Sequence, residues 1–177
     1  MTDREIMDCA IHTFRCEARA LSEIEEQINQ EQLLAVVKEI ASCSGRILVA
    51  GCGGAGMIAR RAVQGFNNVD RSAFFLSPGD APHGDYGKIR PGDVLILVSK
   101  SGKTEELFDM IPIAHKRGAR VISITENASS PIARQSDQLL LLNSGEEACP
   151  YQILATSSAA VMSSVFDAIA ICCMKIN

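Results

Sequence analysis

The chain has 177 residues, 47% of them hydrophobic, which suits one domain whose core needs no covalent staples. A net charge of −4, the absence of Trp and the lack of any basic run argue against nucleic-acid binding, which relies on cationic tracks and stacking rings. Seven cysteines at irregular spacing form neither a disulfide framework nor a metal-ligand pattern, and with three His no metal site is expected.

The N-terminal MTDREIMDCA is charged from the start, unlike a signal peptide. No later stretch approaches the ~20 apolar residues of a membrane span, so a cytoplasmic chain without a membrane partner is expected. Over 7–28, apolar residues fall at Met7, Ile11, Phe14, Ala18, Leu21, Ile24 and Ile28. Gaps of four and three make one stripe of a long amphipathic helix, able to cover its own domain or another subunit. Asn29 breaks the pattern and caps a second helix, with Gln32 three residues on and Leu33, Leu34, Val37 and Ile40 inward. After Ser44-Gly45 the character changes. Short apolar runs at 46–50, 73–76, 94–99, 120–125 and 138–142 alternate with helical patterns near 56–65, 104–118, after Pro131, and over 156–175. Gly118 stands where a glycine ends a helix. Such continuous apolar runs predict a parallel sheet covered by helices on both faces. Residues 1–44 then form a helical segment and 45–177 the α/β core of a single domain. Ligands are expected at the carboxyl ends of the strands.

The first strand runs into Gly51, Cys52, Gly53, Gly54, Ala55 and Gly56, a literal G-x-G-x-x-G. A dinucleotide fold also wants an acid at the tip of the second strand, but Asp70 precedes that strand, which ends in Leu76-Ser77-Pro78. Two other readings stand beside it: a tight strand-to-helix turn, or bare N–H groups that bind some other anion. The third strand leads into Ser99, Lys100, Ser101, Gly102, Lys103 and Thr104. A triphosphate P-loop would need glycine at Leu97, inside the strand, so that reading fails. Three hydroxyls and a glycine opening a helix that carries Glu105 and Glu106 suit a phosphate monoester; ordinary helix capping by Ser101 or Thr104 is the plainer alternative. Glu146 and Glu147 precede Thr156, Ser157 and Ser158, which open the last helix, where Thr156 as a simple cap is again the plain reading. His83 lies in the Pro82-His83-Gly84-Asp85 loop at the ligand end, suited to proton transfer near neutral pH. Asp167, within the apolar last helix, is expected to make a structural hydrogen bond.

The order GCGGAGMIARR, FFLSPGDAPHGDYG, VLILVSKSGKTEEL, VISITENASSPIARQSD and EEACPYQILATSSAAVMSSVFDAIAI resembles the sugar isomerase (SIS) domain. Within that family it is most similar to the arabinose-5-phosphate isomerases, here as a single SIS domain without the cystathionine-β-synthase-type tail domains that often follow. The PHGD and EACP segments carry the narrower resemblance. It implies a three-layer α-β-α sandwich with a five-stranded parallel sheet of flavodoxin-like type, plus the N-terminal helices. It also implies homotetramers or homodimers with sites at subunit contacts. The resemblance places Gly53, Gly54, Ser99, Ser101, Gly102 and Thr104 around the phosphate, with Thr156, Ser157 and Ser158 helping from the last helix. Glu147, Glu106 and His83 align with catalytic positions. Two positions depart from the family: Gly54 stands where those isomerases carry a Lys, and their His after the last helix lies beyond Asn177. Lys100 or Lys103 is available to bring a cation to the substrate. The expected activity is aldose–ketose isomerisation of a pentose 5-phosphate through an enediol, with no cofactor. The rival expectation is a non-catalytic sugar-phosphate sensor, in which the cradle matters and Glu147 does not.

Overall fold

Thr2 starts the first helix by a reciprocal cap: its hydroxyl accepts from the Glu5 N–H, and the Glu5 carboxylate accepts from the Thr2 N–H. The structure, a computed structural model, describes residues 1–176. Helix α1 (Asp3–Gln27) ends at Ile28, and Asn29 caps α2 (Gln30–Ala41) by accepting from the Gln32 N–H, as its position predicts. The apolar stripe of α1 divides. Ala20, Ile24 and Ile28 pack onto the domain, while Met7, Ile11, Phe14 and Leu21 face outward. In α2 the inward residues are Val36, Val37 and Ile40, with Leu33 half-buried. Leu34 is exposed, contrary to the periodic reading, because Val36 takes the inward place.

Five parallel strands follow: β1 (Ile47–Gly51), β2 (Ala73–Phe75), β3 (Val94–Val98), β4 (Arg120–Thr125) and β5 (Gln138–Leu141). Their order in the sheet is β2-β1-β3-β4-β5. Alternate strand residues serve two cores. Ile47, Val49, Ile96, Val98, Ile122 and Ile124 face α1, α2, α3 (Gly53–Asn68) and α7 (Ser157–Ile176). Leu48, Ala50, Leu95, Leu97 and Val121 face α4 (Glu105–Phe108), α5 (Met110–Lys116) and α6 (Pro131–Gln135). Burial on both faces is why the strands read as continuous apolar runs. The result is the three-layer sandwich expected.

Three elements depart from expectation. The helix predicted over 104–118 is broken between Phe108 and Met110, since Pro112 has no N–H to give the Phe108 carbonyl. Helix α3 begins three residues earlier than its pattern implied, at Gly53, because packing on β1 and α7 outweighs the poor helix propensity of its glycines. Helix α7 is, by length and composition, apolar enough to cross a bilayer, with mean hydropathy 1.8, against the expectation of no such stretch. Alanines and cysteines raise that value without a run of large side chains, and Val161, Met162, Val165, Phe166 and Ile169 are buried against the sheet.

The strand order reverses direction between β1 and β3. Chain leaving β1 turns one way and chain leaving β3 the other, so a crevice opens at their carboxyl ends. Gly51 is level with Val98 in the β1–β3 ladder, which brings the 52–54 and 99–104 loops out side by side.

Candidate functional site

The 99–104 loop is held by its own hydroxyls. Ser99 is buried; its Oγ accepts from the Gly102 N–H at 3.1 Å and shares a hydrogen bond with Thr104 Oγ1 at 2.9 Å. Ser101 Oγ accepts from the Lys103 N–H at 3.3 Å. Gly102 has φ +63°, and a Cβ there would lie 2.1 Å from Ser130 Oγ and 2.9 Å from Thr125 Oγ1. No other residue fits that place. Thr104 begins α4 without a side-chain cap, so its hydroxyl is not spent on the helix end. The backbone N–H groups of Ser101, Thr104 and Glu105 meet no protein acceptor among the described residues. A depression of about 500 Å³ lies against this loop, lined also by Cys52, Ala55, Glu126 and Asn127.

The first glycine loop is a tight turn. A Cβ on Gly51 would sit 2.8 Å from the Ala55 carbonyl oxygen, and one on Gly56 only 2.7 Å from that of Gly51. The spacing that imitates a dinucleotide fingerprint therefore answers to the strand-to-helix turn, and Asp70 lies at the amino end of β2, away from the crevice. Gly53 has φ +54° and faces open space. Gly54 is not forced by sterics, since its Cβ would meet only Ala155 Cβ at 3.8 Å.

Glu147 is the most heavily engaged carboxylate of the crevice, and its side chain is 8% exposed. Oε2 accepts from the Thr156 N–H at 2.8 Å, the Thr156 hydroxyl at 2.7 Å and the Ser158 N–H at 3.4 Å. Oε1 accepts from the Ser158 hydroxyl and, at 2.6 Å, from Lys100 Nζ. Burial pushes its pKa up, but Lys100, Ser158 and Thr156 outweigh burial and hold it down to about 2. Glu147 thus caps α7 from nine residues away in sequence. The Thr156 and Ser158 hydroxyls are turned toward it, and Ser157 Oγ donates to the Glu146 carbonyl at 2.7 Å. A second depression of about 240 Å³ runs from Lys100 and Glu147 past Ser158 to Ile58, Leu154 and Met162.

The sequence candidates therefore gather in two groups. Ser99, Ser101, Gly102 and Thr104 form the cradle; Glu147, Thr156 and Ser158 form the acidic cluster. Glu106 is exposed at the start of α4, near enough to Cys52 for its charge to add to the burial that raises that thiol's pKa. His83 ends a short 3-10 turn, is exposed, and among the described residues its ring makes no hydrogen bond or ion pair to either group. Asp167 forms a two-pronged pair with Arg61 at 2.7 and 2.8 Å, the structural bond expected of it. Sequence reasoning missed Glu126, whose Oε1 accepts from Ser144 and whose Oε2 lies 3.9 Å from Lys100 Nζ. The available signal was its place at the carboxyl end of β4, where a parallel sheet presents its ligands. No group of three or more His, Cys, Asp or Glu suited to a metal occurs among the described residues.

The SIS domain model matches residues 39–172. Arabinose 5-phosphate isomerase KpsF of Escherichia coli is 34% identical over 155 residues, 88% of this chain and 47% of that protein. The KdsD isomerase of Salmonella typhi is 36% identical over 159 residues, 90% of this chain and 48% of its own length. The chain thus spans about half the length of these curated relatives. Two solved structures superpose over 99% of it. One is a candidate sugar-phosphate isomerase from Listeria monocytogenes, 39% identical with TM-score 0.96 over 92% of that chain. The other is an Escherichia coli CFT073 protein in complex with arabinose 5-phosphate, 28% identical with TM-score 0.93 over 93% of that chain. With three quarters of its length matched by the family model, this chain belongs to the SIS domain family.

Proposed function

We propose that the chain is a sugar-phosphate isomerase that interconverts arabinose 5-phosphate and ribulose 5-phosphate through an enediol. One observation carries this reading: a cradle suited to a phosphate monoester and a buried carboxylate share one crevice, joined by the Lys100–Glu147 bridge. The cradle residues Ser99, Ser101, Gly102 and Thr104 hold the phosphate, with Gly53 and Gly54 opposite. The binding energy gathered there holds the sugar carbons against the carboxylate. Glu147 serves as the base that moves the proton between C2 and C1. Glu106 holds sugar hydroxyls at the mouth of the crevice. Thr156, Ser157 and Ser158 fix the orientation of the 146–148 segment. The resemblance to arabinose 5-phosphate isomerases, and to a protein solved with that sugar, supports this choice of substrate. Residues 1–177 act as one domain, and seven free thiols suit a reducing, cytoplasmic setting.

The sensor reading keeps one observation in its favour. A carboxylate held at about 2 is a weak base and a good structural anchor. NMR of the protein with arabinose 5-phosphate in heavy water separates the two. Growth of ribulose 5-phosphate signals with deuterium entering at C1 is expected. Retained binding of several pentose and hexose phosphates without any conversion selects the sensor.

Self-association belongs to the same proposal. Met7, Ile11, Phe14 and Leu21 on α1, with Ile171 and Met174 on α7, leave an apolar face uncovered, and a second copy covers it. His83, exposed and without a hydrogen bond or ion pair to its own crevice among the described residues, then stands to serve that of a neighbour. Phe14→Glu is expected to shift the protein to a smaller species in light scattering while leaving its circular dichroism unchanged. An unchanged molar mass would sink the assignment of this face.

A further inference from the structure

Among the described residues, Lys100 and Ala55 line both depressions of the crevice, and of the two only Lys100 carries a charge. Its backbone is pinned, the carbonyl accepting from the Glu126 N–H at 2.9 Å and from the Thr125 hydroxyl at 3.0 Å. The side chain alone spans the gap to Glu147 Oε1 at 2.6 Å. It is 41% exposed while Glu147 is 8% exposed, so the amine meets the carboxylate on one side and the open crevice on the other. It lines the depression beside the cradle and the one beside Glu147. A pentose phosphate seated with its phosphate on the 99–104 loop and its carbons toward Glu147 passes this ammonium.

We propose that Lys100 is a catalytic residue of the isomerisation, donating a hydrogen bond to the substrate oxygen on which negative charge develops. The inference rests on the isomerase reading above. Glu147 takes the proton from C2 of the aldose; the C–H electron pair becomes the C1–C2 double bond and the carbonyl pair moves onto O1, where Lys100 donates. The protonated Glu147 then returns its proton to C1. The O2–H pair becomes the new carbonyl, and the O2 proton passes to O1. Protons and electrons balance within the sugar and Glu147, and Lys100 ends as it began. Turning toward O1 also draws the cation away from Glu147, so the carboxylate gains proton affinity at the moment it acts as a base. Nothing in a phosphate-binding role alone requires the amine to meet this carboxylate.

The test compares turnover and calorimetric binding of arabinose 5-phosphate in wild type, Lys100→Gln and Lys100→Arg. K100Q is expected to lower kcat at least ~100-fold, the scale of losing one preorganised donor, while Kd for the sugar phosphate changes less than about threefold. K100R, keeping the charge but not the compact ammonium, is expected roughly tenfold below wild type with the same Kd. Should K100Q fail to fold, K100R carries the test by the same split between kcat and Kd. K100Q, or K100R in its place, with kcat within about threefold of wild type overturns the proposal and leaves the isomerase reading standing. Loss of substrate binding in step with kcat assigns Lys100 to ligand holding and overturns it as well. Wild-type protein that binds arabinose 5-phosphate and converts none overturns the isomerase reading and, with it, this role.

Discussion

Gly102→Ala is expected to destabilise the protein by roughly 3 kcal/mol or more and to weaken arabinose 5-phosphate binding about 100-fold. Two independent effects add at this position. At φ +63° a Cβ meets the following carbonyl, which costs ~1–2 kcal/mol in any L-residue. The same Cβ would lie 2.1 Å from Ser130 Oγ and 2.4 Å from Ser130 Cβ. Ser130 has no freedom to yield: it is buried, and its Oγ accepts from the Ala133 N–H to cap α6. The loop must therefore move, which breaks the Gly102 N–H bonds to Ser99 O and Oγ and unseats the Ser99–Thr104 hydroxyl pair. Losing one or two charge-assisted bonds to phosphate at ~1.5–3 kcal/mol each accounts for the drop in affinity. Gly65→Ala is the matched control, because a Cβ there meets nothing within 4 Å in the last turn of α3 and should stabilise by up to ~1 kcal/mol. Chemical denaturation and calorimetry read both quantities. Equal stability of the two variants would show that the loop has room the geometry denies.

The parts of this molecule written in local pattern could be read from the chain, and the parts made by distant residues meeting could not. VLILV is a strand buried on both faces, and its apolar continuity says so; the hydroxyls and glycine that follow it mark the cradle. Asn29 and Gln32 announce the second helix in the same local way. The Lys100–Glu147 pair joins residues 47 apart, and no spacing rule reaches across two strands and three helices to find it. The hydroxyls of Thr156 and Ser158 were legible as a helix start, but their turn toward Glu147 depends on where the 146–148 segment lies. Leu34 failed because helical periodicity fixes a face only to within a residue, and Val36 had the better fit. The break at Asp109 was present in the sequence as Pro112, whose missing N–H outweighs the helical pattern around it.

Glu147→Gln tests the other half of the crevice, and here stability and activity should fail together at neutral pH. The folded protein holds this carboxyl at about 2 against an ordinary 4.5, a difference worth roughly 3 kcal/mol. Because the folded value is the lower one, the stabilisation is complete above pH 4.5, shrinks as pH falls toward 2 and is gone below that. Wild type and E147Q should therefore differ at pH 7 and converge through this window. An amide keeps one acceptor for Thr156 but turns N–H donors toward the Ser158 hydroxyl and the Lys100 ammonium, so the pair is lost and not merely weakened. At ~2–4 °C per kcal/mol for a domain of this size, Tm at pH 7 should drop by roughly 6–12 °C. Turnover of arabinose 5-phosphate should fall at least ~100-fold, since the amide takes up no proton from C2. The two readouts separate the readings of the site. Lost stability with turnover intact would leave Glu147 a structural anchor and move the base to another carboxylate, first Glu106, exposed at the start of α4. Parallel melting curves for the two proteins from pH 7 to pH 3 would show that Lys100, Thr156 and Ser158 do not hold the carboxylate as their distances imply.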